Sequence, residues 1–331
     1  SDLRGIALNL PAPLHKVADD TQALSVTQTL DAKTQELRVE VAGRGSVSYM
    51  QDMSVQPAKL LRGRIVVGDA MPGSDAGAEG VIATVQLPVL DVDAWQTVWS
   101  DAASGNASAS HTPSQQDWLP QRINLNVDRL LLQGRELEAV KADFSQAQGV
   151  WRGRLNAKHF AGTLEYRAAE SPETSGRLFA RLSHLSIPKT EVQRLNQEPA
   201  DAGQGEVESL PALDIEVERL EIADKSLGKL QLKARNSIGP VGREWMLEQF
   251  DLTTPEARWR ANGYWGAAAR GAPRTTHLSF LLEMGSSGKL LERFGMPGVI
   301  RDGQGRLSGN IAWRGAPITP HWPSMDGGVH M

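Results

Sequence analysis

Histidines are the side chains of this sequence best suited to acid–base and metal chemistry, because their charge changes near neutral pH and their ring nitrogens bind metals. The seven are His15, His111, His159, His184, His277, His321 and His330. No two of them are spaced as H-x-H or H-x-x-x-H, and a metal site needs ligands that converge. The sequence has no cysteine, which excludes disulfides, zinc–thiolate sites and thiol catalysis. We therefore expect no metal and no cofactor.

Carboxylates at alternate positions are the next candidates, since paired acids can divide the roles of general acid and general base. Asp214, Glu216 and Glu218 share one face of a predicted strand, and Asp91 and Asp93 form a second group. General acid catalysis requires one carboxyl in an apolar pocket. A row of acids on a strand indicates a solvated face instead, so we expect no catalytic carboxylate.

The segment Gly303–Gly309 superficially resembles a phosphate-binding loop. It has one residue too many for G-x-G-x-x-G and precedes a predicted strand, whereas the dinucleotide fingerprint lies between a strand and a helix. We interpret it as a turn. The sequence also lacks a G-x-S-x-G nucleophile elbow. With no catalytic candidate left, we expect that the protein is not an enzyme.

The elements that position the side chains are predicted to be strands. Apolar and polar residues alternate strictly in Ile123–Leu130 and again in Leu213–Leu220. Period two predicts a strand with one apolar and one wet face. Each copy continues with a turn, an alternating strand, a Trp-led strand and a closing strand, and a spacing of about ninety residues between copies indicates an internal repeat.

Similar alternation recurs along the chain, separated by short polar turns, which predicts an all-β architecture. Hydrophobic residues make up 40% of the sequence, and this favours strands that are wet on one face over the continuous apolar runs of a doubly covered parallel sheet. The predicted strands are Ile6–Leu10, Leu37–Val41, Ser46–Met50, Gly63–Val67, Val81–Leu87, Ile123–Leu132, Glu138–Phe144, Val150–Leu155, Gly162–Tyr166, Arg177–Leu182, Leu213–Ile222, Lys229–Ala234, Trp245–Leu252, Ala257–Tyr264, His277–Leu282 and Gly305–Trp313.

Three short segments have helical patterns and two have low complexity. Helices are predicted near 91–99, with Asp91 or Asp93 as N-cap, at Ile187–Leu195 and near 288–295. Residues 101–117 and 196–209 are predicted to be flexible loops. They divide the chain into modules 1–100, 118–195 and 210–331, which we expect to belong to one continuous sheet because a one-faced sheet module lacks a second layer.

Charge and hydropathy exclude two classes of function. The 35 basic and 39 acidic residues give a net charge of −4, so we expect no nucleic acid as a partner, since such proteins usually carry a basic excess. No run of apolar residues is long enough for a transmembrane helix. Both ends resemble cuts from a longer protein, so we expect that targeting information lies outside this sequence.

Five strings, taken in their order, resemble the C-terminal half of YhdP-type proteins, which belong to the AsmA-like superfamily of Gram-negative bacteria. They are Leu10-Pro11-Ala12-Pro13-Leu14, Leu90-Asp91-Val92-Asp93-Ala94-Trp95, Leu185-Ser186-Ile187-Pro188, Leu210-Pro211-Ala212-Leu213-Asp214-Ile215 and Phe294-Gly295-Met296-Pro297-Gly298 with Gly303–Pro317. The resemblance implies a periplasmic protein anchored in the inner membrane. It also implies a long, curled, mostly antiparallel β-sheet that forms a hydrophobic groove, with a few short helices at its edges, similar to the bridge-like lipid transfer proteins.

By this resemblance the groove would carry phospholipid between the inner and outer membranes without a covalent step, contributing to outer-membrane lipid homeostasis and barrier. Its partners would be phospholipid acyl chains, and both membranes through parts of the protein outside this chain. The residues expected to face inward and line it are Ile6, Leu8, Leu10, Val39, Val41, Ile65, Val67, Ile123, Leu125, Val127, Leu213, Ile215, Val217, Leu230, Leu232, Leu278, Phe280, Leu282, Leu307, Ile311 and Trp313.

Three alternatives remain open from the sequence. A second layer could cover the apolar face as a dry sandwich core. Core packing is the first explanation for the tryptophans in the strands and at their ends, although repeated tryptophans at strand ends would also suit the amphipathic rims of a groove. The chain could instead be a periplasmic scaffold that binds protein clients through sheet edges. A polysaccharide-processing β-protein would need carboxylates near exposed tryptophans at a suitable separation.

Overall fold

The computed structural model describes residues 1–70, 79–105, 118–169, 175–192, 210–239, 241–267, 269, 272–317 and 320–331. These residues form an all-β fold with mostly antiparallel strands and few short helices, which confirms the predicted fold class. The seventeen strands found there are β1 (Leu24–Leu30), β2 (Thr34–Val41), β3 (Gly45–Asp52), β4 (Lys59–Gly68), β5 (Gly80–Asp91), β6 (Arg122–Leu132), β7 (Arg135–Ala147), β8 (Val150–Asn156), β9 (Phe160–Arg167), β10 (Arg177–Ile187), β11 (Ala212–Ile222), β12 (Lys225–Gly239), β13 (Gly242–Thr253), β14 (Ala257–Ala267), β15 (Arg274–Met284), β16 (Gly305–Arg314) and β17 (Asp326–His330).

The chain divides into two compact units. Unit 1 comprises Ser1–Gln148 with Arg152–Lys158, and unit 2 comprises Gly149–Trp151 with His159–Met331. The three modules expected from the low-complexity segments stay a prediction. Most of residues 101–117 and all of 196–209 lie outside the described residues.

Strands pair in the order in which they follow one another along the chain. In unit 1, β1 to β7 pair successively, antiparallel except for the parallel pairs β4–β5 and β5–β6. In unit 2, β9 to β17 pair successively, and only β10–β11 is parallel among these pairings. A parallel pair needs a crossover connection, whereas an antiparallel pair needs only a short turn.

Two hairpins of matching design carry the internal repeat. The turn between β6 and β7 has Gln133 at φ 51° and Gly134 at φ 66°, and the turn between β11 and β12 has Ala223 at φ 49° and Asp224 at φ 63°. Positive φ at both central residues is the type I′ turn, whose twist matches that of the flanking strands. The second turn therefore places an alanine in the left-handed region, which disfavours a Cβ atom.

Helix α1 (Val92–Gly105) connects β5 to β6. The Asp91 carboxylate accepts a hydrogen bond from the Ala94 backbone N–H at 2.8 Å, which confirms Asp91 as the N-cap. Asp93 has a different role, because its two carboxylate oxygens accept from the Gln133 and Gly134 N–H groups at 2.6 and 2.8 Å. The helix also continues past the predicted residue 99 to Gly105.

The structure also has helical residues at the other two predicted positions. In the predicted Ile187–Leu195, residues 189–192 are helical, and both Glu191 and Val192 donate their backbone N–H to the Pro188 carbonyl. Ile187 instead ends β10, and residues 193–195 lie outside the described residues. Helix α2 (Ser287–Arg293) matches the helix predicted near 288–295. A 3₁₀ turn at Trp322–Ser324 precedes β17.

One predicted strand is wrong and two strands were missed. Ile6–Leu10 makes only an isolated bridge, in which Leu8 and Lys16 exchange two backbone hydrogen bonds of 2.8 and 3.0 Å. In this register Leu10 and Leu14 would form the next hydrogen-bonded pair. The Leu14 N–H instead donates to the Pro11 carbonyl at 3.0 Å, so the pairing does not continue. Strands β1 and β17 were not among the predicted strands.

Candidate functional site: an apolar sheet face

Registered pairing gathers apolar side chains on one face of each unit, because residues paired across neighbouring strands point to the same side of a sheet. We call this side the apolar face and the opposite side the polar face. One row across the apolar face of unit 1 consists of Val26, Val39, Val47, Ile65, Ala83, Ile123 and Phe144. The row beside it consists of Leu24, Val41, Gly45, Val67, Val85, Leu125 and Ala142.

Unit 2 has an apolar row that crosses nine strands, from β9 to β17. The row consists of Leu164, Ala180, Ile215, Leu232, Phe250, Ala261, Phe280, Gly309 and Val329. The neighbouring row on the polar face consists of Thr163, Arg181, Glu216, Gln231, Asp251, Arg260, Leu281, Ser308 and His330. The two faces therefore differ in chemistry across the whole width of the unit.

The structure places eighteen of the twenty-one predicted lining residues on these two apolar faces and three outside any strand. Ile6, Leu8 and Leu10 are the three outside, and the Ile6 side chain is exposed. Those that are half-buried are Val39, Val41, Ile65, Val67, Ile123, Leu125, Leu213, Ile215, Leu232, Leu278, Phe280, Leu282, Leu307 and Ile311. Those that are buried are Val127, Val217, Leu230 and Trp313.

Two of the buried members, Val217 and Leu230, lie in a cluster formed within the sheet. In unit 2 one cluster consists of Ala180, Leu182, Val217, Leu220, Leu227, Leu230 and Leu252, all from β10 to β13. Val217 and Leu220 are both buried although three residues apart, because the register between β11 and β12 shifts between them and leaves Glu218 and Arg219 exposed. A β-bulge of this kind re-aims the strand. The cluster holds neighbouring strands together while the rest of the face stays half-buried.

Tryptophans form the other end of the apolar face in unit 2. Trp245 and Trp265 are buried in a second cluster, packed against Leu213 and Leu247 among others. Trp259 lies on the same face and meets Phe250 edge-to-face at a centroid distance of 5.2 Å. From the sequence, core packing is the first explanation for the tryptophans. The buried Trp245, Trp265 and Trp313 agree with it, whereas Trp259 is exposed.

The indole N–H groups of the three buried tryptophans differ. Trp313 Nε1 donates to the Ala316 carbonyl at 3.0 Å, and Trp245 Nε1 donates to the Pro211 carbonyl at 3.4 Å. Trp265 Nε1 is buried and has no hydrogen-bond partner. Arg274 Nη1, on the neighbouring strand, is likewise buried without a partner.

The polar face is crossed by ion pairs between adjacent strands. Arg181 contacts Asp214 at 2.8 Å and Glu216 at 3.7 Å, and Lys229 contacts Glu218 at 2.9 Å. All three acids that a catalytic interpretation would use are therefore paired with basic side chains at the surface. Exposed pairs of this kind contribute little to stability, and they keep the polar face hydrated.

Two carboxylates of unit 2 have clearly shifted acidity, and both are held by arginines. Hydrogen bonds from the Arg258 guanidinium keep the pKa of Asp251 below its usual range. The bidentate contact of Arg293, with distances of 2.7 and 2.8 Å, lowers the pKa of Glu256 in the same way. Both shifts favour the charged form, so these groups join α2 and neighbouring strands and are not poised to exchange protons near neutral pH.

The glycine-rich segment Gly303–Gly309 and two of the histidines, which were considered for chemistry from the sequence, make structural contacts. Gly305 begins β16, so Gly303–Gly309 leads into a strand as interpreted from the sequence. The His277 ring stacks on Tyr264 at a centroid distance of 4.6 Å, and His321 Nδ1 lies 2.9 Å from Ser324 Oγ. In the part of the chain that the structure describes, no three His, Asp or Glu side chains are grouped so as to hold a metal ion. No helix within those same ranges combines the length and apolarity needed to cross a bilayer.

Comparison with known proteins yields one assignment. The model of a protein family described as YhdP protein matches residues 1–331. Neither the curated proteins nor the solved structures gave a significant match. The YhdP family is not known as a family of enzymes, and the family together with the apolar sheet faces fits a protein of the lipid-transport type. Because the match extends over the whole sequence and agrees with the resemblance carried by its motifs, the chain belongs to the YhdP family.

Proposed function

We propose that this chain is part of a non-enzymatic conduit that carries phospholipids between the inner and outer membranes, with their acyl chains on the apolar face. The observation that carries the proposal is the apolar row of unit 2, which continues without interruption across nine strands. The matching rows of unit 1 support it. Such a face offers acyl chains a continuous surface.

The half-burial of the apolar face also supports the proposal. Leu125, Ile215 and Phe280 retain solvent-accessible surface, whereas the residues of a dry core are mostly fully buried. Each acyl CH₂ group transferred from water to such a surface contributes about 0.8 kcal/mol. Because the lining is repetitive, neighbouring positions differ little in affinity, and a lipid can move along the face without a covalent step.

The cellular setting follows from the family. We place the chain in the periplasm of a Gram-negative bacterium, within a protein anchored in the inner membrane by parts outside this sequence. The polar face, with its paired charges, suits an aqueous compartment. Supply of phospholipid along this route would contribute to outer-membrane lipid homeostasis and barrier.

Charges placed on the apolar face test the proposal. Leu125→Asp in unit 1 and Ile215→Asp in unit 2 place a carboxylate among half-buried apolar residues, and Asn124→Asp and Gln231→Asp place the same charge on the polar face. The purified 331-residue chain is incubated with phosphatidylglycerol in detergent micelles, and the bound lipid is counted by mass spectrometry. We expect the two apolar-face variants to bind about tenfold less lipid, equivalent to about 1.4 kcal/mol, with unchanged far-UV circular dichroism.

Two results would contradict the proposal. If Leu125→Asp and Ile215→Asp both abolish folding while the polar-face controls fold, the apolar face is a covered core. If all four variants bind as much lipid as the parent chain, the lipid binds elsewhere. A scaffold that acts through sheet edges would show the second result.

A further inference from the structure

Two buried hydrogen-bond donors lie next to one another at the tryptophan end of unit 2. Trp265 is 2% exposed and its Nε1 has no acceptor. The Arg274 guanidinium carbon lies 5.7 Å from the centre of the Trp265 indole, and its Nη1 is also buried without an acceptor. Among the residues that the structure describes, no carboxylate forms an ion pair with Arg274.

Both residues belong to the apolar face. Trp265 pairs with Thr276 across β14 and β15, and Ala267 pairs with Arg274 in the same register. Arg274 and Thr276 are two residues apart, so their side chains leave the sheet on the same side as Trp265. The guanidinium therefore lies at the end of an apolar surface, where a charged group without a partner is unexpected.

Two backbone carbonyls at this end of the face already accept hydrogen bonds from other side chains. The Ala316 carbonyl receives the Trp313 indole N–H at 3.0 Å, and the Gly315 carbonyl receives the Thr276 hydroxyl at 2.8 Å. A buried donor left without an acceptor carries a desolvation penalty that an arriving acceptor removes. An anionic oxygen group can accept from a guanidinium and an indole N–H together, and phosphate geometry suits arginine well.

We propose that Arg274 and Trp265 form a headgroup site that binds the phosphoryl oxygens of a phospholipid whose acyl chains lie on the apolar face. The inference rests on the proposed function, because the acyl chains are what bring the phosphate to this end of the sheet. The same phosphoryl chemistry would fit free inorganic phosphate, which the experiment separates from the lipid. The site gives unit 2 a preference for phospholipids over neutral lipids with identical acyl chains.

Competition between two lipids tests the site. The purified 331-residue chain is incubated in detergent micelles with equal amounts of phosphatidylglycerol and a diacylglycerol of the same acyl composition, and both bound lipids are counted by mass spectrometry. We expect the parent chain to prefer the phospholipid about tenfold. Arg274→Gln should reduce the ratio to near one by lowering phospholipid binding only, and Trp265→Phe, which keeps the aromatic ring but removes the N–H, should reduce it in part.

Arg306→Gln is the matched control. Arg306 lies on the polar face, is largely exposed and pairs only loosely with Glu283 at 3.5 Å. The Arg306→Gln substitution removes one positive charge from the same unit, as Arg274→Gln does, but leaves the proposed site intact. The preference for phospholipid over diacylglycerol should therefore persist. If Arg306→Gln reduces the ratio as much as Arg274→Gln, the preference reflects general charge and the headgroup site is wrong. If Arg274→Gln unfolds the chain, Trp265→Phe decides, and an unchanged ratio in that variant overturns the proposal.

Two further outcomes separate the headgroup site from the conduit. Equal binding of both lipids by the parent chain would overturn the headgroup site and leave the conduit intact. No binding of either lipid would overturn both. Titration with inorganic phosphate, followed by tryptophan fluorescence, identifies the source of the phosphoryl group: an Arg274-dependent response combined with equal binding of the two lipids would assign the site to free phosphate and contradict the headgroup proposal.

Discussion

The hairpin β6–β7 of unit 1 and the hairpin β11–β12 of unit 2 are two versions of one design. In both, a parallel strand precedes the hairpin and two buried residues enclose two exposed ones, Val127 and Leu130 in the first copy and Val217 and Leu220 in the second. The copies differ in how the helix that precedes the hairpin is attached to its turn. Asp93 of α1 accepts two backbone N–H groups of the first turn, whereas Lys189 pairs with Asp224 of the second across exposed surface.

The apolar faces around the two hairpins also differ. The rows of unit 1 are mainly aliphatic, whereas the face of unit 2 carries Trp245, Phe250, Trp259, Trp265 and Phe280. The latter brings indole N–H groups and an arginine to the end of the face. One backbone design therefore supports two surfaces, one mainly aliphatic and one with polar atoms in fixed places.

The largest effect is expected where the copies are alike. Val127→Ala and Val217→Ala each remove a side chain that is at most 1% exposed, and each should cost about 2 kcal/mol of unfolding free energy. Urea denaturation followed by hydrogen exchange in peptides from β6–β7 and β11–β12 measures both. Exposed Asn126→Ala and Lys233→Ala are the controls. A difference above about 1 kcal/mol between the two valines would show that the copies are not energetically equivalent.

A smaller effect is expected where the copies differ. Asp93→Asn weakens two charge-assisted hydrogen bonds and should cost about 1 kcal/mol, whereas Lys189→Gln should cost less than about 0.5 kcal/mol because its ion pair is exposed. Exchange rates of the Gln133 and Gly134 amides report the first change directly. Equal losses from the two variants would refute the difference in attachment.

Acidic pH should destabilise unit 2 by protonating the two carboxylates that bind arginines. The pKa of Asp251 and the pKa of Glu256 are both lowered in the folded chain. The stability that these two carboxylates add to the folded chain is thus fully present above their unfolded-state pKa values of about 4. It is lost as the pH falls through their folded-state pKa values. We expect the free energy of unfolding to fall by less than about 1 kcal/mol, as measured by urea denaturation from pH 6 down to acidic pH. Asp251→Asn with Glu256→Gln should flatten this profile, and an unchanged profile would exclude both pairs as its source.

The smallest effect is expected on the polar face. Arg260→Gln breaks the pair with Glu283, whose atoms lie 2.6 Å apart with both side chains largely exposed. Its cost should stay below about 0.5 kcal/mol and shrink with added salt. Lipid capture should not change. Reduced capture in this variant would mean that the two faces share the binding function.

Sequence periodicity predicted most strands because registered pairing and alternation have the same period. Leu213, Ile215 and Val217 fall on the apolar face as expected. Ile6–Leu10 also alternates, but alternation cannot show whether a partner strand exists, and only Leu8 is paired. Strand β1 was missed because Gln28 interrupts its apolar series.

The unpartnered donors had no signature in the sequence. Arg274 lies among polar residues at the start of β15, and this context predicts a solvated strand end. Its burial depends on the Trp265 ring from the preceding strand. Its lack of an acceptor depends on which carbonyls accept hydrogen bonds from other side chains, such as the Ala316 carbonyl from Trp313. Such information arises only when the register of four strands is known. The lining role of the apolar residues stays a prediction that the lipid experiments test.

Successive pairing of strands has a consequence for how the protein is made. Within unit 2 every strand from β10 to β16 pairs with the strand just before it and the strand just after it in sequence. Contacts therefore join strands that are consecutive in sequence, with the longest connections at the β10–β11 crossover and between β15 and β16. Contacts that are local in sequence favour rapid folding. A sheet of this kind can form hairpin by hairpin in the order of synthesis, each new strand pairing with the edge of strands that have already formed.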